Sequence, residues 1–410
     1  MRIAVFTETF LPKVDGIVTR LLRTLEQLGQ LGHEALIFAP HDPPGHYAGH
    51  PVTRVPAVSF RPWYPELFLG LPRPRLGREL DRFRPDVVHV VNPVVLGLWG
   101  STIALQRDLP LLASFHTDLP SYVKHLKLSF LTPVSKSILR DIHNLAHVNL
   151  CTSTQMVEAA RGLGIRRVRL WPKAIDTDTY RPDRRSAAMR SRLSGGEPER
   201  PLLVYVGRLS HEKRLDLILP LARNLPGVRF AFVGSGPAEQ HLKTLFQGTP
   251  TVFTGYMQGS ELAAAYASAD VFLFPSDTET LGFVAMESMA SGVPVVGARA
   301  GGIPDVIDDG VTSLMFEAGN AADLEQKTRW LLENPAERER LATAGRAEME
   351  RHSWRASTEQ LLAYYELASV VKKRFDTPGE LPRPVIRLQR RGKAQRTASP
   401  APPRGGDPDG

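Results

Sequence analysis

Cysteine is nearly missing from this chain. Cys151 is the only one, which leaves no internal disulfide and no cysteine-based metal site. That usage fits a reducing compartment, and a cytoplasmic location is expected. Long unbroken apolar runs are missing too. The most apolar long window, Val87–Leu105, is interrupted by His89, Asn92 and Pro93, and it reads as strand, turn and helix, not as a membrane span. A secretory leader is not expected, because Arg2–Phe6 enters a β-rich run without a basic and then apolar stretch.

What is present is ordinary globular composition, 42% hydrophobic and 23% charged. At 410 residues the chain exceeds what one core usually serves, so two domains are expected. The net charge of +8 is uneven: residues 1–180 and the tail 371–410 each carry +6, and residues 181–370 carry −4. Basic surface of this kind suits peripheral contact with anionic lipid headgroups. Nucleic acid is a poor partner, since no recognition motif or stacking-aromatic pattern accompanies the charge.

The first forty residues spell a βαβ unit. Arg2–Phe6 is a strand, Thr7–Gly16 a glycine-containing loop, and Val18, Leu21, Leu22, Leu25, Leu28 and Leu31 recur at helical spacing up to Gly32. Glu34–Ala39 is the next strand, followed by Val87–Val91, Leu111–Phe115 and Val148–Cys151; the stretch 35–80 is too rich in Pro and Arg to assign. The pattern restarts after the polar stretch Tyr180–Pro201. Strands are expected at Leu202–Val206, Arg229–Val233, Val252–Phe253, Val271–Phe274 and Val293–Gly297. Helices are expected at Arg214–Asn224, Pro237–Phe246, Ser260–Ala267, Gly282–Met289 and Asp323–Glu333. Such alternation means parallel sheets covered on both faces. The expectation is therefore an α/β chain of two Rossmann-like doubly wound domains, 1–178 and 179–353, facing across a cleft, with ligands at the strands' carboxyl ends. A long helix covers about 354–373, and the Pro-, Gly- and Arg-rich tail 376–410 is expected to be disordered.

Two segments carry chemistry. In Val271–Ser291 a buried strand runs through Pro275 and a polar loop into a helix opening near Leu281–Gly282, a place where free N–H groups and the helix dipole favour a phosphate. Glu279 precedes that helix and Glu287 lies inside it, so the two carboxylates reach different parts of one ligand, such as a sugar and a ribose. Two glutamates eight apart also occur as solvated surface charge; the strand–loop–glycine–helix setting favours a site. In VGRLSHEKRLD (Val206–Asp216), Gly207 turns the chain, and Arg208 and Lys213 flank a loop where two cations can stabilise a departing diphosphate without a metal. Arg214 is read as solvent-facing.

FVGSGP (Phe232–Pro237) and ARAGGIPD (Ala298–Asp305) are expected on the same cleft rim. Glu239 stands where a dinucleotide fingerprint needs its third glycine, so a dehydrogenase is a poor fit. The first domain supplies Asp15-Gly16 at its first βα turn, and SFHTDLPSY (Ser114–Tyr122) places His116 just past a strand end. Asp176-Thr177-Asp178 has the Asp-x-Asp form of some metal sites but lies away from any strand end, and no metal is expected.

Together TETFLPKVDGIVTR, SFHTDLPSY, VGRLSHEKR, FVGSGP, ETLGFVAMESMASGVPVV and ARAGGIPDVIDDG resemble the family-4 retaining glycosyltransferases of GT-B fold, over most of residues 1–370. The resemblance implies that Arg208 and Lys213 hold the diphosphate, Glu287 the ribose and Glu279 the sugar hydroxyls. Leu281, Gly282 and Phe283 would meet the donor at the helix start, Gly16 the phosphates, and His116 the reacting sugar. Catalytic roles then fall to His116, Arg208, Lys213 and Glu279, no cofactor beyond the nucleotide-sugar substrate is needed, and the last long helix crosses back onto the first domain.

Within the family, FLPKVDGIVTRL, HVVNPVVLGLWG, HNLAHVNLCTST, RSAAMRSRLS and SDTETLGFVAMESM are similar to sulfolipid synthases, which move sulfoquinovose from UDP to diacylglycerol. That group typically shows His-Thr-His where this chain has His116-Thr117-Asp118, and a glycine where Ala174 stands. A carboxylate beside a sulfonate is unfavourable at low dielectric, so a neutral donor, UDP-glucose or GDP-mannose, building another glycolipid is the alternative. The lipid acceptor is expected to enter from the first domain, where Pro120–His147 has the mixture of Leu, Ile and Lys of an interfacial helix. Rivals of other classes are a nucleotide-sugar 2-epimerase, a phosphorylase carrying pyridoxal phosphate and a non-catalytic sugar-nucleotide sensor.

Overall fold

Two parallel sheets organise the chain in the computed structural model, which describes residues 1–13, 15–60, 64–116 and 132–375. The apolar runs of the sequence are their strands. The first sheet is built from Arg2–Thr7 (β1), Glu34–Pro40 (β2), His46–Tyr47 (β3), His50–Val55 (β4), Val87–Val91 (β7), Leu111–Phe115 (β8), Val148–Cys151 (β9) and Val168–Leu170 (β10). Its order is β10-β9-β8-β7-β1-β2-β4-β3, parallel except for the β3–β4 edge pair. Ala57–Phe60 (β5) and Tyr64–Gly70 (β6) form a separate antiparallel ribbon within the stretch that sequence pattern left unassigned. The second sheet contains Leu202–Val206 (β11), Arg229–Val233 (β12), Thr251–Gly255 (β13), Val271–Phe274 (β14), Val295–Ala298 (β15) and Leu314–Phe316 (β16), in the order β13-β12-β11-β14-β15-β16.

Strand order reverses direction between β1 and β7 in one sheet and between β11 and β14 in the other. Loops leaving the carboxyl ends of such neighbours diverge to opposite faces and open a crevice. The segments after β11 and β14 are those that hold Arg208 and Glu279.

Each sheet is buried on both faces, so its strands are near-continuous apolar runs. Ile3, Val5, Ile37, Val87 and Leu112 pack on one face of the first sheet, and Phe6, Phe38, Val88 and Val90 on the other. The final helix, Trp354–Phe375, sends Leu361, Tyr365 and Ala368 into the first of these cores. It therefore packs on the amino-terminal sheet although it follows the second one.

One expected helix is broken. In place of a helix over Arg214–Asn224 there is a 3-10 turn at Leu215–Ile218 and a brief α-helix at Leu219–Asn224, preceded by a separate 3-10 turn at His211–Lys213. Arg214 sits in the left-handed region at φ 52°, which ends the first turn, and apolar periodicity does not register that kink. Of the expected interfacial segment, Thr132–Asn144 is a helix; Leu139 is buried against Phe115 and Cys151 while Ile138 is exposed. Residues 117–131, which include Asp118, and the tail 376–410 lie outside the described residues.

Buried histidines tie the first sheet to its covering helices. His89 on β7 bonds through Nδ1 to the Tyr365 hydroxyl (2.8 Å) and through Nε2 to Ser114 Oγ (3.0 Å). Burial lowers His89 to about 3 and His143 to about 4. Both are therefore neutral in the folded protein at neutral pH, whereas the unfolded chain protonates them near 6.5. Protons bind preferentially to the unfolded state across that gap, so stability is complete above about pH 6.5 and falls as pH drops below it. Each such histidine costs about 2 kcal/mol by about pH 5. Glu8 and Glu287, raised by burial, act in the opposite sense nearer the carboxylate range. Thermal melts between about pH 7.5 and 5 should show Tm falling with acid, less steeply in His89→Gln. An unchanged slope in that variant would rule His89 out as a source.

Candidate active site

β11 delivers the chain to Gly207, whose φ of 150° lies in the range that favours glycine, and Arg208 follows at the strand's carboxyl end. The Tyr205 hydroxyl donates to the Arg208 carbonyl at 3.0 Å, anchoring this turn to the core. Lys213 closes the first 3-10 turn. Its Nζ reaches Glu279 Oε1 at 2.5 Å, and the two side chains are only 21% and 17% exposed. Arg208 and Lys213 thus stand over one strand end, and Glu279 comes to them from the loop after β14. Arg214, expected to face solvent, instead pairs with Asp277 at 3.5 Å and adds a second tie between the same two loops.

The two glycine loops explain how these segments hold their places. A Cβ at Gly234 would overlap the Gly207 carbonyl oxygen, and one at Gly236 the Leu209 carbonyl oxygen. Likewise a Cβ at Gly301 would overlap the Glu279 carbonyl oxygen and one at Gly302 that of Thr280. Gly302 N–H donates to the Glu279 carbonyl at 2.7 Å, and Leu209 N–H to the Ser235 carbonyl at 3.0 Å. FVGSGP and ARAGGIPD are therefore backbone buttresses for the Arg208 and Glu279 loops. Their glycines are required for close approach of the two backbones.

The helix Phe283–Ala290 begins at Gly282, its N-cap, with φ 82°. A glycine cap has no side chain, and the first-turn N–H groups of this helix have no side-chain acceptor. A helix start of this kind is able to accept an anion. Leu281 beside it is buried. The Phe283 ring lies 3.3 Å from where a Cβ on Gly16 would be, so Gly16 marks the point at which the first domain meets this helix start. Phe283 also stacks on Trp354, ring centroids 6.0 Å apart. Glu287 accepts a hydrogen bond from the Tyr266 hydroxyl at 2.7 Å. Burial raises its carboxyl above the usual range, and hydrogen bonds from Tyr266 and Tyr180 oppose that rise.

On the facing side, Asp15 caps the helix Gly16–Gln30 by accepting from Ile17 N–H (3.0 Å) and Val18 N–H (2.9 Å), and it pairs with Lys13 at 3.2 Å. Its carboxylate is therefore a structural cap. His116 is buried just past β8. Its backbone N–H donates to Asn92 Oδ1 at 2.9 Å, ring Nε2 meets Ser114 Oγ at 2.8 Å, and the ring abuts Trp171. A continuous polar chain, Tyr365–His89–Ser114–His116, thus runs from the returning helix to this ring. Burial first, then the charge of Arg20 and the neighbouring His89, lowers its pKa well below the usual range and keeps it neutral. Ser114, His89 and Tyr365 were not singled out from sequence; a histidine inside the apolar strand VVHVV was the available signal.

Asp176, the first residue of the Asp-x-Asp sequence, spends its oxygens locally. It accepts from Thr179 N–H (2.9 Å) and the Thr179 hydroxyl (2.7 Å), and it pairs with Arg23 at 3.1 Å.

Two family models match the chain: "Glycosyltransferase Family 4" over residues 14–179 and "Glycosyl transferases group 1" over residues 191–348. Among curated proteins, the chain is 40% identical to the sulfoquinovosyl transferase SQD2 of Arabidopsis thaliana, across 88% of this chain and 72% of that protein. It is 36% identical to a GDP-mannose-dependent alpha-mannosyltransferase of Mycobacterium tuberculosis, across 89% and 96% of the two chains. Among solved structures, sucrose-phosphate synthase from Thermosynechococcus elongatus superposes with a TM-score of 0.72 at 21% identity, covering 90% and 99% of the two chains. HepE of Anabaena in complex with UDP gives 0.71 at 19% identity, covering 89% and 100%. At those identities the structures speak to the fold alone, two Rossmann-like domains of GT-B type.

Proposed function

The chain belongs to the group 1, family 4 glycosyltransferases, and from that premise we propose that it transfers sulfoquinovose from UDP-sulfoquinovose to diacylglycerol with retention of configuration. One observation carries the assignment of the donor site. Arg208, Lys213 with its partner Glu279, and the uncapped helix start at Gly282–Phe283 converge on a single crevice between β11 and β14. The choice of sugar is supported by the 40% identity to a sulfoquinovosyl transferase.

In this mechanism the donor's diphosphate lies on the Phe283 helix start, held by Arg208 and Lys213. The Glu279 carboxylate, which balances Lys213, orients the sugar hydroxyls and helps stabilise the oxocarbenium-like centre. Glu287 takes the ribose. As the bond from the anomeric carbon to the diphosphate oxygen breaks, negative charge grows on that oxygen and the two cations stabilise it. The acceptor hydroxyl attacks from the same face, forms the new glycosidic bond and gives its proton to the departing diphosphate. Neutral His116 lines the sugar side, and closure of the domains limits hydrolysis of the donor.

A second reading has its own support. GDP-mannose-dependent mannosyltransferases from three bacteria are 32–36% identical to this chain, and an alpha-monoglucosyldiacylglycerol synthase of Streptococcus pneumoniae is 28% identical. A neutral donor with a glycolipid product follows from it. A panel of UDP-sulfoquinovose, UDP-glucose, UDP-galactose and GDP-mannose with diacylglycerol vesicles, read by lipid mass spectrometry, decides between the two. We expect sulfoquinovosyl diacylglycerol. A hexosyl lipid formed only from a neutral donor overturns the choice of sugar and leaves the donor site standing.

A further inference from the structure

Arg20, in the helix Gly16–Gln30, is among the largest fully buried side chains of the protein, at 1% exposure. None of its Nε, Nη1 and Nη2 atoms has a hydrogen-bond partner among the described residues. Its guanidinium lies 4.5 Å from the centroid of Trp171 and 5.8 Å from that of Phe283. The indole Nε1 of Trp171 is likewise buried and unpartnered. The cluster is one of donors only, enclosed by aromatic faces.

Such an arrangement is costly unless something completes it. A buried cation without a counter-charge is strongly destabilising, and stacking on aromatic faces offsets only part of that cost. Burial lowers Arg20 to about 9, which still leaves it charged at neutral pH. A guanidinium offers a planar fork of N–H donors suited to oxyanions. The missing partner is therefore an anion with several oxygens.

Location identifies which anion. Trp171 also touches the ring of His116, at 5.8 Å between centroids, and Phe283 lies against Gly16. Arg20 thus stands on the first-domain side of the crevice with His116, where the sugar is placed. Arg208, Lys213 and the Phe283 helix start serve the diphosphate from the second domain.

We propose that Arg20, together with Trp171 Nε1, receives a negatively charged substituent of the donor sugar, a sulfonate or carboxylate, and so selects anionic over neutral donor sugars. The proposal rests on the donor-site reading above and names the residue that sets its specificity. A sulfonate has three oxygens, enough to accept from both the guanidinium fork and the indole N–H.

Calorimetry on the full chain tests it, comparing wild type with Arg20→Met and Arg20→Lys against UDP, UDP-glucose, UDP-glucuronate and UDP-sulfoquinovose. Replacing a buried, unpaired cation by an apolar side chain of similar length is neutral or stabilising, so Arg20→Met should keep or raise Tm. We expect wild type to bind an anionic-sugar donor more tightly than UDP-glucose. In Arg20→Met that preference should fall roughly a hundredfold, the scale for losing one partner of a desolvated charge pair, with UDP and UDP-glucose little changed. Arg20→Lys should restore part of it. Equal weakening of UDP itself would assign Arg20 to the diphosphate and overturn the proposal. So would a wild type without preference for anionic sugars, or a variant that retains it. Failure of the sulfoquinovosyl reading is separate: wild type could transfer no sulfoquinovose and still bind UDP-glucuronate through Arg20.

Discussion

Arg208→Ala and Lys213→Ala should each lower kcat for glycosyl transfer by roughly 10²–10³, the loss expected for one preorganised electrostatic contact to a developing anion. The cations differ in how they are held. Lys213 is paired with Glu279 at 2.5 Å, and removing it leaves a mostly buried carboxylate without that partner. Lys213→Ala should therefore also raise KM, whereas Arg208→Ala should act chiefly on kcat. Conservative Lys213→Arg keeps the charge but not the point geometry of an ammonium, and only partial recovery is expected. Steady-state kinetics with the active donor check this. Wild-type turnover in either alanine variant would refute the leaving-group role.

Gly302→Ala should be nearly as damaging although residue 302 makes no proposed contact with the donor. Its backbone is not left-handed, so the effect of a methyl is purely steric: it would overlap the Thr280 carbonyl and push the Glu279–Thr280 turn outward. Misplacing a catalytic group by about 1 Å costs around 10² in rate. We expect a loss of that order in kcat/KM, with a smaller effect on Tm because Glu279 and Thr280 are half-buried loop residues outside the strands of the core. Gly162→Ala is the control, since nothing lies within 4 Å of its added carbon and the residue ends an ordinary helix. Activity that survives in Gly302→Ala at the level of Gly162→Ala would remove the buttress from the account.

The parallel strands were legible because a strand covered on both faces is an uninterrupted apolar run ended by glycine or proline. Leu202–Val206 and Val271–Phe274 appear in the structure with the boundaries the sequence implied. Elements without that signature were not legible. The edge strands and ribbon between 46 and 70 have no continuous apolar pattern, and the helix expected at 214–224 is interrupted by a backbone angle that side-chain periodicity does not encode.

Within the site, residue types and placement at strand ends pointed to Arg208, Lys213, Glu279 and the Gly282 helix start. What sequence could not show was pairing across long separations. The Lys213–Glu279 contact joins residues 66 apart, and the glycines of the two rim loops acquire their purpose only against the carbonyls they approach. Arg20 was hidden for a different reason. A lone arginine in an amphipathic helix reads as its polar face, yet Arg20, Thr24 and Leu28 form a row at spacing four, and all three are buried. That row was the available signal.

The most direct test of the central claim is the anomeric configuration of the lipid product. The measurement is nuclear magnetic resonance of the lipid formed from an α-linked nucleotide-sugar donor and diacylglycerol, with a metal chelator present. Retaining transfer supported by Arg208, Lys213 and Glu279 predicts an α-linked glycolipid formed at an undiminished rate. A β-linked product, or transfer that stops when divalent metal is removed, would contradict it.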